Sequence, residues 1–504
     1  MSLLKRMVNR CQARRAIEFS AAYHRWMHAD INDSYDENGV FWTIDDPEVR
    51  IPGRLYRQDN KIRLQLHGTP RTFLKTVEAS SNEHWVAQEI LSTDEYGQPI
   101  TIHGDVGRFG KITAQDCQFL NSTQPLIGTG PEHCLLAPRR LLHGSHVSTA
   151  SADLIGIRFR LRNLDKWAVQ RGVDLPANTI SGVVIKYTRP EYPVFSNLSD
   201  GAVVTIEDVI TESWSSITDA HIAKRAWVEI SSISSGSLDE IILRYVAPII
   251  SLVELSLGVE CDPVDMSAQL NSGSWVRVSS GSIRTLRNSE DYSNQLVNFD
   301  DIGISGVATW LDKAHLLGPF PSIVSRLGAE NRINLETHLL ELTTVAEGIH
   351  DCLHPDGRSI PKEEAEEIKE IVKSTLLDTG SNYVDIVTGS LRHLGVLGYA
   401  KRMISLVEHL GPEPPAYVGD VKKWAREVED ARVGFAHRRI RSLTDDQIER
   451  LFIILSSLQW LLASVLLMEA GIQAEVVNRR ISKLPNYRTL LTDARSAYPK
   501  IYAT

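Results

Sequence analysis

The sequence predicts an α+β chain: a β-rich N-terminal domain of packed antiparallel sheets, then an all-α helical bundle. Three observations carry this. Apolar and polar residues alternate at period two between turn residues over much of Asn38 to Asp300. After about Asp301 the apolar spacing becomes helical. Near the C-terminus, Leu451 to Met468 is almost wholly apolar behind a Thr444/Gln447 capping pattern. The expected divisions are a basic helical arm over 1–34, the β-rich domain over 35–300, a connecting helical segment over 301–330 and the bundle over 331–504.

The strands follow in order. Val49, Ile51, Gly53 and Leu55, then a turn at Gln58 to Lys61, then Ile62, Leu64 and Leu66 read as a hairpin. Ile100, Ile102 and Ile112 repeat the pattern around Gly104 to Gly110. Leu154 to Leu161, Gly182 to Tyr187, Ala202 to Ile206, Ala226 to Ile230 and Gly273 to Val278 are further strands, and Ser231 to Ser237 is a loop. Leu238 to Leu257 carries helical spacing, with Pro248 expected to break or kink it. These strands suggest two packed sheets with one inserted helix.

The helices come next. Leu335 to Leu353 is periodic in Leu and Val. Pro361 opens a charged, solvated helix from Lys362 to Ile371. Tyr383 to Leu410 holds one or two helices, and Val421 to about Arg441 another. Leu451 to Met468 is interrupted by Ser456, Ser457 and Gln459 and closed by Gly471, so it reads as a core or interface helix rather than a membrane span.

Composition narrows the function. The chain has 504 residues and a net charge of −9, so any nucleic-acid site is a local basic patch. Lys422, Lys423, Arg426, Arg432, Arg438, Arg439 and Arg441 form such a patch. Five scattered cysteines with no CxxC pair point to a reducing, cytoplasmic setting and to no cysteine zinc site. His350-Asp-Cys352-Leu-His354 crowds metal-ligand types, but it reads as the polar end of a helix running into Pro355-Asp-Gly357. No metal and no cofactor are expected.

Within the patch, Arg432 and His437 are separated by four residues. A guanidinium is a planar, permanently charged fork matched to phosphate oxygens. An imidazole with its ordinary pKa of about 6.5 accepts and returns protons near neutrality. Together they are the minimum for cutting an RNA phosphodiester through its own 2′-hydroxyl. On a continuous helix, Val421, Trp424, Val428, Ala431 and Phe435 form one apolar stripe, with Arg432 on its flank. His437 falls nearly opposite the stripe and about 140° from Arg432. A site built from both therefore calls for a helix distortion, a second subunit or both. Gly434 between them permits the distortion.

Two regions resemble a known family. Gly39-Val-Phe-Trp42, Val49-Arg-Ile-Pro-Gly-Arg-Leu55, Leu64-Gln-Leu-His-Gly68, Ile102-His-Gly104, Ile112-Thr-Ala-Gln-Asp-Cys117, Leu154-Ile-Gly156 and Leu164-Asp-Lys-Trp167 are similar to the ApeA N-terminal domain. The helical region with Arg432-x4-His437 and the long apolar helix resembles the HEPN module of ApeA-like anti-phage abortive-infection proteins. The resemblance implies a metal-independent endoribonuclease that leaves 2′,3′-cyclic phosphate. Its catalytic residues would be Arg432 and His437, in a composite site formed by a homodimer. Glu347 and Asp430 are the candidate supporting acids. Lys422, Lys423, Arg426, Arg438, Arg439 and Arg441 are the candidate RNA contacts, and tRNA is the candidate substrate. The N-terminal domain would sense a phage component, such as a phage protein, or restrain the nuclease, and no membrane partner is implied. Many HEPN nucleases carry a polar residue after the Arg, where this chain has Val433. The competing reading is a catalytically silent HEPN protein that binds RNA, nucleotide or a protein partner.

Overall fold

The computed structural model describes residues 34–71, 74–78, 86–90, 99–123, 132–147, 153–168, 173–174, 186–187, 194–214, 220–280, 295–329, 334–380, 382–391, 394–436 and 443–502. The chain forms two compact units, one of residues 1–157, 235–238 and 265–287, the other of 158–234, 239–264 and 288–504. The basic arm of 1–34 lies outside the described residues except for Ser34.

The first unit is built on β1 (Asp36–Thr43), β2 (Ile51–Gln58), β3 (Lys61–Leu66), β4 (Leu74–Glu78), β5 (Val86–Ile90), β6 (Ile100–Val106), β7 (Gly110–Thr123), β8 (His133–Ala137) and β9 (Arg140–His143). The predicted hairpin is β2–β3, in antiparallel register with Leu55 opposite Leu64. Its turn residues Asp59 and Asn60 both have positive φ, the backbone that a two-residue hairpin turn of matching twist requires. Strand order β7-β6-β1-β2-β3-β8, with β8 pairing back onto β7, closes a six-stranded barrel. The expected sheet packing thus takes the form of one sheet curled onto itself, which leaves the six strands no open edge.

Period-two alternation fills the barrel. Ile51, Leu55, Ile62, Leu64, Leu66, Ile102, Ile112 and Leu136 are buried around Phe41. Glycines let Phe41 sit there. In register, Gly39 faces Gly53 and Phe41 faces Gly104. A Cβ on Gly104 would lie 2.5 Å from the Phe41 ring, so no larger residue fits without displacing it. The short motifs Gly39-Val-Phe-Trp42, Ile-Pro-Gly53 and His-Gly104 are therefore parts of one packing unit.

Beyond the barrel come β10 (Leu154–Leu161), the short pair β11 (Val173–Asp174) and β12 (Lys186–Tyr187), then β13 (Val194–Asn197), β14 (Val203–Trp214) and β15 (Ala220–Ser231). Most of the predicted strand Gly182 to Tyr187 lies outside the described residues. In the second unit β13, β14 and β15 form an antiparallel meander. There Arg158 pairs with Glu207 at 2.5 Å and lies over Trp227. Two further strands, β16 (Pro263–Leu270) and β17 (Trp275–Ser280), form a hairpin around Asn271 to Ser274.

The helices are α1 (Leu164–Trp167), α2 (Leu238–Ile241), α3 (Ala247–Leu257), α4 (Phe299–Leu317), α5 (Phe320–Ala329), α6 (Leu335–Leu353), α7 (Lys362–Asp378), α8 (Val384–Ser390), α9 (Tyr399–Glu408), α10 (Val421–Ala436), α11 (Asp445–Glu469), α12 (Ala474–Ile481) and α13 (Tyr487–Ala497). The expected irregularity at Pro248 takes a particular form: a π-helical segment, Ile242–Val246, interrupts the α-helix between α2 and α3, and Pro248 stands in the first turn of α3. Ala247 N–H reaches Ile242 O, five residues back. This wider turn relieves the clash that a proline ring makes in a regular α-helix.

α11 is the central helix of the bundle and is opened by the predicted Thr444/Gln447 capping box. It is long and apolar enough to cross a membrane, with 78% of that window buried inside the chain. Its polar interruptions have partners in the bundle. Ser457 Oγ accepts from Trp424 Nε1 at 2.9 Å, and Gln459 Nε2 donates to Val324 O at 2.9 Å. Ser464 Oγ lies 3.2 Å from the Tyr417 hydroxyl.

Candidate active site

The site begins with α10. Asp420 precedes it, and its Oδ1 accepts from Lys423 N at 3.1 Å, satisfying one of the free N–H groups of the first turn. Trp424, Ala425 and Val428 are fully buried. Of the predicted stripe only Trp424 and Val428 are fully buried. Val421, Ala431 and Phe435 are half-buried, and every residue from Ala431 to Phe435 is partly exposed. In this later part α10 reaches α6 and α9 through Arg432, which meets Glu347 of the first and Tyr399 of the second.

Arg432 is the centre of that contact. Its Nη2 donates to Glu347 Oε2 at 2.7 Å, and its guanidinium lies 4.5 Å from the centroid of the Tyr399 ring. Its side chain is 31% exposed, so it is held from below and reachable from solvent. Tyr399 is buried, donates to Thr343 O at 3.0 Å, and its hydroxyl pKa is pushed up by that burial. A cation on an aromatic face, with one edge on a carboxylate, has little rotational freedom left.

The other oxygen of Glu347 serves a second cation. Arg402 Nη1 lies 3.1 Å from Glu347 Oε1. The same nitrogen donates to both oxygens of Asp351, at 2.9 and 3.0 Å. Arg402 Nε donates to Leu397 O at 3.1 Å. Glu347 and Asp351 are one turn apart on α6, and Tyr399 and Arg402 are about one turn apart on α9. Three helices therefore bring together two carboxylates and two guanidinium groups in alternation.

A histidine group continues along the ends of the same helices. His350 is buried, its Nδ1 lies 3.3 Å from Asp351 Oδ1, and burial pulls its pKa down. The His350 and His354 rings are 5.0 Å apart. His409 Nε2 meets Glu469 Oε1 at 3.1 Å, and Lys313 Nζ donates to Glu469 Oε2 at 2.7 Å. The His409 hydrogen bond, followed by the Lys313 contact, holds the Glu469 carboxyl down at about 2. The segment His350 to His354 is the end of α6, with His354 as its C-cap. Among the described residues no cluster of three or more His, Cys, Asp or Glu is placed to hold a metal ion.

Of the residues singled out in the sequence, Arg432 and Glu347 meet directly. Asp430 is exposed; its charge adds to burial in pushing up the Glu427 carboxyl, and it is Glu347 that Arg432 contacts. Lys422, Lys423 and Arg426 are exposed on α10, with Lys423 paired to Asp420 at 2.9 Å. His437, Arg438, Arg439 and Arg441 lie outside the described residues. Sequence reading missed Arg402 and Tyr399. Their three-residue spacing is the signal that could have found them, since it puts both on one face of a helix.

Comparison with known proteins finds two family models that match the chain. A family model of ApeA N-terminal domain 1 matches residues 36–311. A model of the Apea-like HEPN domain matches residues 340–476, the segment that carries Glu347, Tyr399, Arg402 and Arg432. No curated protein and no solved structure matches the chain.

Proposed function

Since the chain belongs to the family of ApeA N-terminal domain 1 and carries an Apea-like HEPN domain, we propose that it is a metal-independent endoribonuclease of anti-phage defence, toxic once triggered. The observation that supports this best is Arg432 itself. It is a solvent-reachable guanidinium, stacked on Tyr399 and tethered by one hydrogen bond to Glu347, inside the HEPN segment.

In this reading Arg432 holds a non-bridging oxygen of the scissile phosphate and stabilises the charge that builds up in the pentavalent transition state. His437 takes the proton of the RNA 2′-hydroxyl as its oxygen bonds to phosphorus. The bond to the 5′-oxygen breaks, and a second imidazole, from the other copy of a homodimer, returns a proton to it. The products are a 2′,3′-cyclic phosphate and a 5′-hydroxyl. Lys422, Lys423 and Arg426 would steer the RNA backbone. The substrate proposed is tRNA, and the N-terminal domain would respond to a phage protein.

The test is RNA cleavage by the purified full-length protein in excess chelator. Activity should persist and should fall at least about 100-fold in Arg432→Ala and in His437→Ala, with helical content unchanged. Cleavage equal to wild type in both variants overturns the assignment. Val433 favours a second reading, in which the protein binds RNA without cutting it. Salt-dependent RNA binding without any cleavage of cellular RNA, tRNA included, would support that reading instead.

A further inference from the structure

We infer that Arg402 is a positioning residue that keeps the guanidinium fork of Arg432 open for phosphate, by holding one oxygen of Glu347 away from it. The inference rests on the reading of Arg432 as the phosphate-holding group.

A carboxylate facing a guanidinium prefers two parallel hydrogen bonds, which occupy the fork and cancel its charge. Glu347 does not do this to Arg432. Its Oε2 takes Nη2 of Arg432 at 2.7 Å, while its Oε1 lies 3.1 Å from Nη1 of Arg402. Arg402 is fixed well enough to hold that oxygen. It is only 11% exposed, its Nη1 is also on both oxygens of Asp351, and its Nε is on Leu397 O in the turn before α9. Among the described residues, the Glu347 contact is the one hydrogen bond of the Arg432 guanidinium. Tyr399 fixes the plane of Arg432 from the same helix that carries Arg402. One helix therefore sets both the orientation of the Arg432 fork and its vacancy.

Removal of the Arg402 charge leaves Glu347 free to close on Arg432 with both oxygens. Arg432 then has fewer donors for phosphate and a neutralised charge. A residue that merely staples α9 to α6 would behave differently. Its loss would lower stability, and neutralising Glu347 would add to the damage rather than undo it.

The experiment measures two things in the full-length protein: the rate at which phenylglyoxal modifies Arg432, resolved by mass spectrometry, and the rate of RNA cleavage. Arg402→Met should slow the modification of Arg432 severalfold and lower kcat by roughly tenfold or more. Adding Glu347→Gln to Arg402→Met should restore both, because a neutral amide does not lock a guanidinium. Arg402→Lys, which keeps a charge beside Oε1, should stay close to wild type in the modification rate. Should Arg402→Met fail to fold, Arg402→Gln takes its place, since it retains hydrogen-bonding capacity toward Asp351 and Leu397. Unchanged or faster modification of Arg432 in the Met or Gln variant overturns the inference, as do losses that simply multiply in the double variant. A wild-type protein that never cleaves RNA would sink the proposed nuclease function, while the modification rates still decide the role of Arg402.

Discussion

Glu254 sits buried in α3, accepting from Cys261 N at 3.0 Å and from Ser325 Oγ at 2.8 Å. Burial outweighs those hydrogen bonds and pushes its carboxyl up from 4.5 to about 7. The native state therefore holds this proton to higher pH than the unfolded chain does. Stability falls as pH rises from about 4.5 to about 7, and is flat above that as far as this group is concerned. Glu254→Gln keeps an acceptor for Cys261 N and carries no charge to bury, so it should be more stable than wild type above pH 7. The gain should be on the order of 1–3 kcal/mol and should vanish near pH 4. Denaturant unfolding at several pH values checks this, and a variant weaker than wild type at pH 8 refutes it. Nothing in the sequence marks Glu254, because its environment is made by Cys261 and Ser325, far apart in the chain. The Arg432 and His437 pair is visible in the sequence as a recognisable chemistry, but the spacing is common in helices and the resemblance of the upstream domain is what gives it weight. Glu347 was legible only through the family resemblance. Arg402 looks like one more charge on a polar helix until α6 is set against α9.

Among elements, close helix packing makes the sharpest predictions. Gly348 on α6 faces Phe320 of α5 so closely that a Cβ there would lie 2.1 Å from the ring. Gly348→Ala should therefore destabilise the protein despite alanine's better helix propensity, by about 1–3 kcal/mol, read from denaturant midpoints. Gly348 directly follows Glu347, so the same variant should also disturb the Arg432 contact. At the core of the bundle, Ser457→Ala leaves the buried Trp424 indole N–H without its acceptor and should cost about 1–3 kcal/mol. A Tm equal to wild type would show that this hydrogen bond does not fix α10 against α11. Elements with local causes were readable in the sequence. The β2–β3 hairpin follows from alternation around Asp59-Asn60, and the start of α11 from its capping box. Elements with distant causes were not. Closure of the barrel depends on β8 pairing with both β3 and β7, and the interruption ahead of Pro248 takes the form of a π-helical turn that no residue type announces.

At the scale of the whole molecule, the order of a β-rich region before a helical one was legible from the change of apolar period alone. The composition of the compact units was not. The second unit gathers 158–234, 239–264 and 288–504, so part of the β-rich stretch shares a unit with the helices. The long-range ties inside it include Trp310 to Pro248 O, Ser325 to Glu254 and Arg480 to Asp301. The proposed composite site adds a requirement beyond one chain, because it takes an imidazole from each of two copies. α11 is buried along most of its length, yet Ile448 and Phe452, one turn apart on it, are 43% and 56% exposed. Phe435 in the last turn of α10 is also only partly covered. Ile448 lies in the exposed opening turns of α11 and Phe452 just beyond them, and an apolar pair exposed there is the kind of surface a second copy covers. Phe452→Asp should therefore shift the protein toward the single 56.3 kDa chain in light scattering, leaving its unfolding transition nearly in place. RNA cleavage should fall with the dimer fraction and recover as protein concentration rises. A Phe452→Asp protein that remains dimeric would move the interface elsewhere. A wild-type protein that cleaves RNA as a monomer, at a rate strictly proportional to concentration, would remove the need for a composite site.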